Sequence, residues 1–198
     1  MVRLRVFMPF AFVLAVLVWG TSSSAAQTSD AGADQSLSPS LAAVARSMYS
    51  NIRRNIKDAA ESMPAQDYSF KPTPDVRSFG EVLGHIANAN YLFCAAAKNV
   101  ALPLTSNLER VTEKAALVKA LLDSLSYCDA VYDTTTDSNF NDSVTVGGLG
   151  NKPTPTVRGA VLTFNTTHMN EHYGNLVVYM RLKGRVPPST ARRDQSRR

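Results

Sequence analysis

Apolar residues recur every three or four positions in four stretches of the chain, as they do in amphipathic helices. Ser38 followed by Pro39 predicts the start of the first helix, because serine caps helix N-termini and proline suits the first helical position. Pro64 predicts its end. The inward stripe expected between these limits is Leu41, Val44, Met48, Ile52, Ile56, Ala59 and Met63.

The second helix is predicted to begin at a capping box. In Ser78-Phe79-Gly80-Glu81 the hydroxyl and the carboxylate can each satisfy a backbone amide of the first turn. His85 lies on the apolar stripe that follows, which consists of Val82, Ile86, Ala89 and Phe93. The third helix is predicted from Thr112 to Asp133, and its apolar face is Leu117, Leu121, Leu125, Cys128 and Tyr132.

The fourth helix is predicted to begin near Thr154 to Thr156 and to end at Lys183. Gly184 suits the position after a helix C-terminus, and Pro187-Pro188 blocks continuation. Its expected inward stripe is Val161, Phe164, His168, His172, Leu176 and Tyr179.

Two long connections separate the helices. In residues 64–77 we expect Tyr68 and Phe70 to pack against the helices, and residues 136–153 include SVTV, which fits a short extended segment.

Four helices of this kind bury their apolar faces best against one another, so the predicted fold is all-α: a four-helix bundle in one domain, residues 39–186. Residues 1–26 have the basic start, apolar stretch and small-residue run of a secretory signal peptide, with cleavage expected before Gln27. An uncleaved membrane anchor is the alternative, although the apolar run is short for a spanning helix. Residues 27–38 are predicted to be a linker. We therefore expect a periplasmic or secreted protein with no stable membrane insertion after cleavage.

Charge is concentrated at the ends of the chain. The net charge of the 198 residues is +5, but Gln27 to Gly184 contain 14 basic and 15 acidic residues. This nearly neutral region lacks the basic surface expected of a nucleic-acid-binding domain, so no nucleic-acid partner is expected. Residues 187–198, which end in ARRDQSRR, are predicted to be a disordered basic tail.

Cys94 and Cys128 are the two cysteines of the chain, which is predicted to leave the reducing cytosol. An even number of cysteines in an oxidising compartment permits a disulfide. Two small buried hydrophobic side chains are the alternative.

The chain contains three histidines, and all are predicted to lie on inward stripes. His168 and His172 are four residues apart, a spacing that lets two imidazoles of one helix reach the same metal ion. With His85 they would supply three neutral nitrogen ligands and leave a position open, as in catalytic or labile sites. Zinc and nickel are the favoured ions. Satisfied core histidines are the alternative.

Other residues near the predicted site are candidates for supporting roles. Asn88 and Glu171 are candidates to orient an imidazole or to move a proton, and Glu171 is the one candidate for a catalytic residue. Phe93, Phe164 and Tyr179 are expected to form an apolar pocket. HMNEH also matches the H-x-x-E-H pattern of inverted zinc peptidases. Those enzymes require a carboxylate ligand downstream, where the chain offers only Asp194, so this hypothesis is disfavoured.

Two segments of the chain together resemble the DinB/YfiT-like superfamily, specifically its exported bacterial members. They are MPAQDYSFKPTPDVRSFGEVLGHIAN and FNTTHMNEHYGNLVVYMRLKGRVPPS. The resemblance implies a four-helix bundle in which His85, His168 and His172 bind a divalent metal ion. Some relatives are metal-dependent transferases or isomerases that use a small thiol, whereas this chain is predicted to be exported.

Two functions follow as hypotheses. The first is a metal-dependent hydrolase or transferase that acts on a small substrate of unknown identity. The second is a metal-binding or ligand-binding protein without turnover. A homodimer is compatible with either.

Overall fold

The computed structural model describes residues 40–148 and 151–198, and these residues form five α-helices and a two-stranded sheet. The helices are α1 (Leu41–Ser62), α2 (Phe79–Lys98), α3 (Lys114–Thr134), α4 (Arg158–Leu182) and α5 (Pro188–Gln195), and the strands are β1 (Ser143–Gly148) and β2 (Asn151–Val157). Short 3-10 segments occur at Ala65–Asp67 and Leu108–Arg110. The predicted signal peptide, the linker and the Ser38-Pro39 helix start lie outside the described residues.

Helices α1 to α4 pack as the predicted bundle. α2 lies against α3 and α4, and α1 contacts the same two helices. The centre is filled by fully buried aliphatic side chains, which are Ile52, Ile56, Leu83, Ile86, Leu117, Leu121, Leu125, Leu162 and Leu176. Each contributes on the order of 1.5–3 kcal/mol by leaving water. Among the described residues, none of the helices combines the length and hydropathy needed to cross a membrane.

The local signals of α2 and α4 are confirmed. The Ser78 side chain accepts a hydrogen bond from the Glu81 amide while the Glu81 carboxylate accepts one from the Ser78 amide, so both halves of the capping box are present. At the end of α4, Gly184 adopts the left-handed backbone conformation at φ 69°. The Arg185 amide then donates to the Met180 carbonyl at 2.8 Å, which closes the helix as a Schellman motif.

The inward face of α1 is wrongly predicted in its first two turns. Leu41 and Met48 are 64% and 54% exposed, and Val44 is also exposed, whereas Ala42 and Tyr49 are buried. The Tyr49 ring stacks on Tyr132 of α3 with its centroid at 3.9 Å. A stacked tyrosine buries more apolar surface than Met48 could, and this sets the rotation of α1.

The fold is not all-α, because β1 and β2 form an antiparallel hairpin. The predicted extended segment SVTV is confirmed as part of β1. The predicted start of the fourth helix near Thr154 to Thr156 is wrong, since these residues lie in β2 and pair with Val146 and Val144, and α4 begins at Arg158. Two prolines in β2 disfavour a helix there but are tolerated in a strand of a two-stranded sheet.

The tail that was predicted to be disordered instead contains a helix, since α5 occupies most of it. Pro188 stands at the first helical position of α5, and the Ser189 amide donates to the Tyr173 hydroxyl of α4 at 3.0 Å. Arg192 forms an ion pair with Asp58 of α1 and a hydrogen bond with Asn55. The charge pattern alone did not reveal the two partners of Arg192, which lie more than 100 residues away in sequence.

Cys94 of α2 and Cys128 of α3 are paired as a disulfide, with 5.4 Å between their Cα atoms. Both residues are fully buried in the core. The bond therefore joins two helices that already pack against each other.

We expect alkylation without reductant, followed by intact-mass measurement, to find no free thiol in the protein. Replacing both cysteines with alanine should lower the free energy of unfolding by about 3 to 4 kcal/mol, because the disulfide closes a loop of about 35 residues in the unfolded chain. The same alkylation after reduction under denaturing conditions is the control and should label both residues. Two alkylated cysteines in the unreduced sample would contradict the disulfide.

Candidate metal centre

The structure brings all three histidines together at the contact between α2 and α4. His168 and His172 lie one turn apart on α4, and His85 faces them from α2. The Nε2 atom of His168 is 3.2 Å from Nε2 of His85 and 3.1 Å from Nε2 of His172. Ligand atoms of the three side chains lie within 4.8 Å of one another. The histidines are half-buried at the edge of the bundle, not in its centre as expected.

The outer ring nitrogens show how two of the imidazoles are oriented. His85 Nδ1 donates to Glu109 Oε1 at 2.9 Å, and His172 Nδ1 donates to Asn175 Oδ1 at 3.2 Å. Both acceptors are oxygens, so Nδ1 carries the proton and Nε2 presents its lone pair in each ring. Within the described part of the chain, the Nδ1 atom of His168 is buried without a hydrogen-bond partner.

Three clustered Nε2 atoms fit a metal ion better than they fit one another. His168 Nε2 has at most one hydrogen to donate, so it can satisfy only one of the two lone pairs that face it. A tetrahedral ion with imidazole nitrogens at about 2.0–2.1 Å places those nitrogens about 3.3 Å apart. The two spacings of 3.1 and 3.2 Å are close to this value.

Burial favours the neutral form of the two histidines of α4. Burial, with smaller contributions from the neighbouring His172 and His85, lowers the pKa of His168 to about 4. Burial also lowers the pKa of His172, and the hydrogen bond to Asn175 only partly offsets this effect. A neutral imidazole is the form that binds a metal ion, so burial suits His168 and His172 to act as ligands at neutral pH.

Glu109 is a site residue that the sequence did not indicate. It lies on the 3-10 segment Leu108–Arg110, and Arg77 Nε donates to its Oε2 at 2.9 Å while His85 occupies Oε1. Burial alone would raise the pKa of Glu109, but the hydrogen bonds from Arg77 and His85 outweigh it and lower the pKa. The carboxylate thus stays ionised and fixes the orientation of His85.

Gly84 allows this arrangement, since it removes the side chain that would separate α2 from the 3-10 segment. A Cβ atom at this position would lie 2.5 Å from the Leu108 carbonyl oxygen and 2.7 Å from Glu109 backbone atoms. Asn88, a predicted orienting residue, acts on the same segment and not on an imidazole. Its Nδ2 donates to Asn107 Oδ1 at 2.7 Å, and its Oδ1 accepts from the Leu108 amide.

Glu171, the weak catalytic candidate, is exposed on α4, and no hydrogen bond within the described part of the chain joins it to the cluster. The predicted aromatic pocket is present in part. The rings of Phe93 and Phe164 are 5.1 Å apart and each packs beside His168. Tyr179 lies elsewhere, with its hydroxyl donating to the Arg77 carbonyl.

Three clefts reach the histidines. A cleft of about 590 Å³ runs between α2 and residues 104–109 and ends at His85 and His168. A second, of about 820 Å³, lies between the β-hairpin and α4 and also reaches His168. A third, of about 560 Å³, opens at His172. A small molecule could therefore approach the cluster from more than one side.

Comparison with known proteins supports the fold. The model of the DinB superfamily matches residues 48–176. A DinB-like protein from Bacillus cereus is 16% identical with a TM-score of 0.61, covering 73% of this chain and 93% of its own. A DinB-like protein from Bacillus subtilis is 22% identical with a TM-score of 0.54, covering 72% and 93%. A conserved protein from Enterococcus faecalis is 14% identical with a TM-score of 0.56, covering 73% and 98%. No curated protein matches the chain. At these identities the likeness to the solved structures concerns the fold.

The burial of His168 predicts how the metal-free protein responds to acid. The unfolded chain protonates this imidazole near its ordinary pKa of about 6.5, whereas the folded chain does so only near pH 4. Between these values the unfolded state binds more protons than the folded state. The contribution of neutral His168 to the free energy of unfolding is therefore complete above about pH 6.5 and is lost as the pH drops toward 4.

We expect NMR titration of the three imidazole Cε1 protons to show this directly, with each signal assigned from a His→Gln variant. One signal, that of His168, should titrate near pH 4 in protein stripped with a chelator. A His168 signal that titrates near 6.5 would contradict the buried, neutral imidazole.

Proposed function

The chain belongs to the DinB superfamily, and we propose that it holds one divalent metal ion at His85, His168 and His172 and acts as a hydrolase or transferase on a small molecule. The observation that carries this proposal is the convergence of three Nε2 atoms at 3.1 and 3.2 Å, with the opposite nitrogens of two rings hydrogen-bonded outward. The superfamily is metal-binding in general, which supports the same conclusion.

The ligand set favours a reactive or labile site over a closed structural one. Three neutral imidazoles leave at least one coordination position open. Imidazole suits zinc and nickel, which are the ions we propose. When bound, such an ion supplies a Lewis acid next to the clefts.

The protein's own residues then have distinct tasks. Glu109 holds the proton on Nδ1 of His85, and Arg77 keeps that carboxylate ionised. Asn175 holds the proton on Nδ1 of His172. The Phe93 and Phe164 rings form an apolar surface beside His168. Each of these contacts leaves Nε2 available and fixes its direction.

A metal-binding protein without turnover is the alternative, and one observation favours it. Glu109 is the carboxylate that contacts the histidines, and both of its oxygens are already engaged, one by Arg77 and one by His85. A carboxylate held in this way is a poor general base. A panel of ester, amide and thiol-transfer substrates separates the two functions, since only an enzyme shows turnover that a histidine variant lacks.

We also propose that the protein is exported. The support is the signal-like sequence of residues 1–26 together with the Cys94–Cys128 pair, which persists in oxidising compartments. The mass of the mature protein tests this directly, because cleavage before Gln27 removes a defined segment.

Metal content is the first test of the proposed site. We expect elemental mass spectrometry to find about one zinc or nickel ion per chain in the mature protein, and none in a variant with His168→Ala and His172→Ala. The histidines are half-buried, so circular dichroism of the variant serves as the control for folding. A folded wild-type protein that cannot be loaded with zinc, nickel or manganese would contradict the proposal.

The Glu109 contact predicts a second effect. Glu109→Gln should weaken zinc binding by about 10-fold to 100-fold, because loss of the charge makes His85 a weaker ligand. Affinity is measured by competition with a chromophoric chelator. Glu113→Gln is the matched control, since Glu113 is exposed at the start of α3 and should leave affinity unchanged. Equal affinities in wild type and Glu109→Gln would show that the carboxylate does not support the metal site.

A further inference from the structure

The cleft between the β-hairpin and α4 differs chemically from the other two clefts at the histidines. We call it the hairpin cleft; it is lined by Leu92, Phe93, Val146, Lys152, Thr154, Thr156, Ala160, Val161, Phe164 and His168. Most of its wall is apolar. The cleft at His172, by contrast, is lined by five charged side chains, namely Lys71, Asp75, Arg77, Glu81 and Glu109. The hairpin cleft is therefore suited to a different part of a ligand.

Phe164 shows that this apolar wall is open to a ligand. Its side chain is 56% exposed although it packs edge-to-face against Phe93 and beside His168. An exposed phenylalanine next to a cleft contributes little to the core, and an aromatic pair of this kind offers a surface on which an apolar group can pack. The bundle covers this ring only in part, so its exposed face is available to a ligand.

Lys152 gives the hairpin cleft its charge preference. It is the one charged side chain among the lining residues, and no ion pair engages it within residues 40–148 and 151–198. The threonines Thr154 and Thr156 follow it along β2 and add hydroxyl groups to the same side. An ammonium group with neighbouring hydroxyls complements an anion such as a carboxylate, sulfonate or phosphate.

We propose that the substrate of the metal centre is a small anion with an apolar body. The apolar body packs on Phe93 and Phe164, the anionic group pairs with Lys152, and His168 marks the end of the cleft where the reacting group lies. A cleft of about 820 Å³ is within the range that accommodates a ligand of drug-like size. The assignment as substrate rests on the metal-dependent function proposed above, whereas the binding preference rests on the cleft alone.

Three probes that share a four-carbon chain test the proposal: 4-phenylbutyrate, 4-phenylbutylamine and butyrate, which lacks the ring. They separate the contribution of the ring from that of the charge. Calorimetry gives their affinities for the metal-free and the zinc-loaded protein, and ¹⁵N amide shifts locate them. We expect 4-phenylbutyrate to bind at least about tenfold more tightly than either other probe and to shift the amides of Phe93, Lys152 and Phe164; tenfold corresponds to 1.4 kcal/mol.

Variants assign these contributions to residues. Phe164→Ala should weaken 4-phenylbutyrate binding about tenfold or more, whereas Val178→Ala should not, since Val178 is a similarly exposed apolar residue of α4 outside the cleft. Lys152→Met keeps the aliphatic stem and should bring the affinities for the acid and the amine close to each other. Lys119→Met is the matched charge control, because Lys119 is exposed on α3.

The outcomes distinguish this proposal from the metal function, provided that zinc content is measured on the same samples. If zinc binds but 4-phenylbutyrate shows no preference, or the Phe164→Ala variant binds it unchanged, the ligand assignment is wrong and the metal site stands. If 4-phenylbutyrate binds through Phe164 and Lys152 while no zinc is taken up, the cleft preference is confirmed and the metal-dependent function is wrong.

Discussion

The contact between α2 and α4 is the interaction on which the rest of the site depends. His85 comes from α2 and the other two histidines from α4, and the spacing of 3.2 Å between Nε2 of His85 and Nε2 of His168 leaves little room for a relative shift of the two helices. Buried Ile86 and Leu162 belong to the core through which these helices pack. On its other side α2 is fixed to α3 by the Cys94–Cys128 disulfide. The bundle thus acts as a rigid support for ligands that lie far apart in sequence.

The site is arranged at some cost to the fold. His168 buries an Nδ1 atom that has no hydrogen-bond partner within the described residues, and an unsatisfied buried polar atom typically costs about 1–3 kcal/mol. The lone pairs of His85 and His172 both face His168 Nε2, and a single N–H there can satisfy only one of them, which adds to this cost. A cation at their centre would accept all three lone pairs, so metal binding at this site would also stabilise the fold. Local costs of this kind are found where function, not stability, determines the residues.

The parts of the fold that were predictable from sequence are those that short-range rules control. The Ser78 capping box, the buried face of α3, the Gly184 terminus and the helical spacing of His168 and His172 all depend on neighbouring residues. Three other features depend on long-range partners. They are the rotation of α1, the presence of α5, and the hairpin that replaces the predicted first turn of the fourth helix. Arg192 illustrates this, because its acidic partner lies on α1. The basic residues of the C-terminal segment, taken alone, suggested a disordered tail.

Within the candidate site the same division holds. The histidines could be proposed as a set because the chain has only three and their positions repeat with the helix. Glu109 could not, since it reaches His85 only through a 3-10 segment that packs against Gly84. Anomalous diffraction at the zinc absorption edge, from crystals of the loaded protein, would locate a bound ion relative to the histidines. We expect a single peak at about 2.0–2.1 Å from Nε2 of all three histidines. A peak at any other group of residues, or none in a zinc-containing crystal, would contradict it.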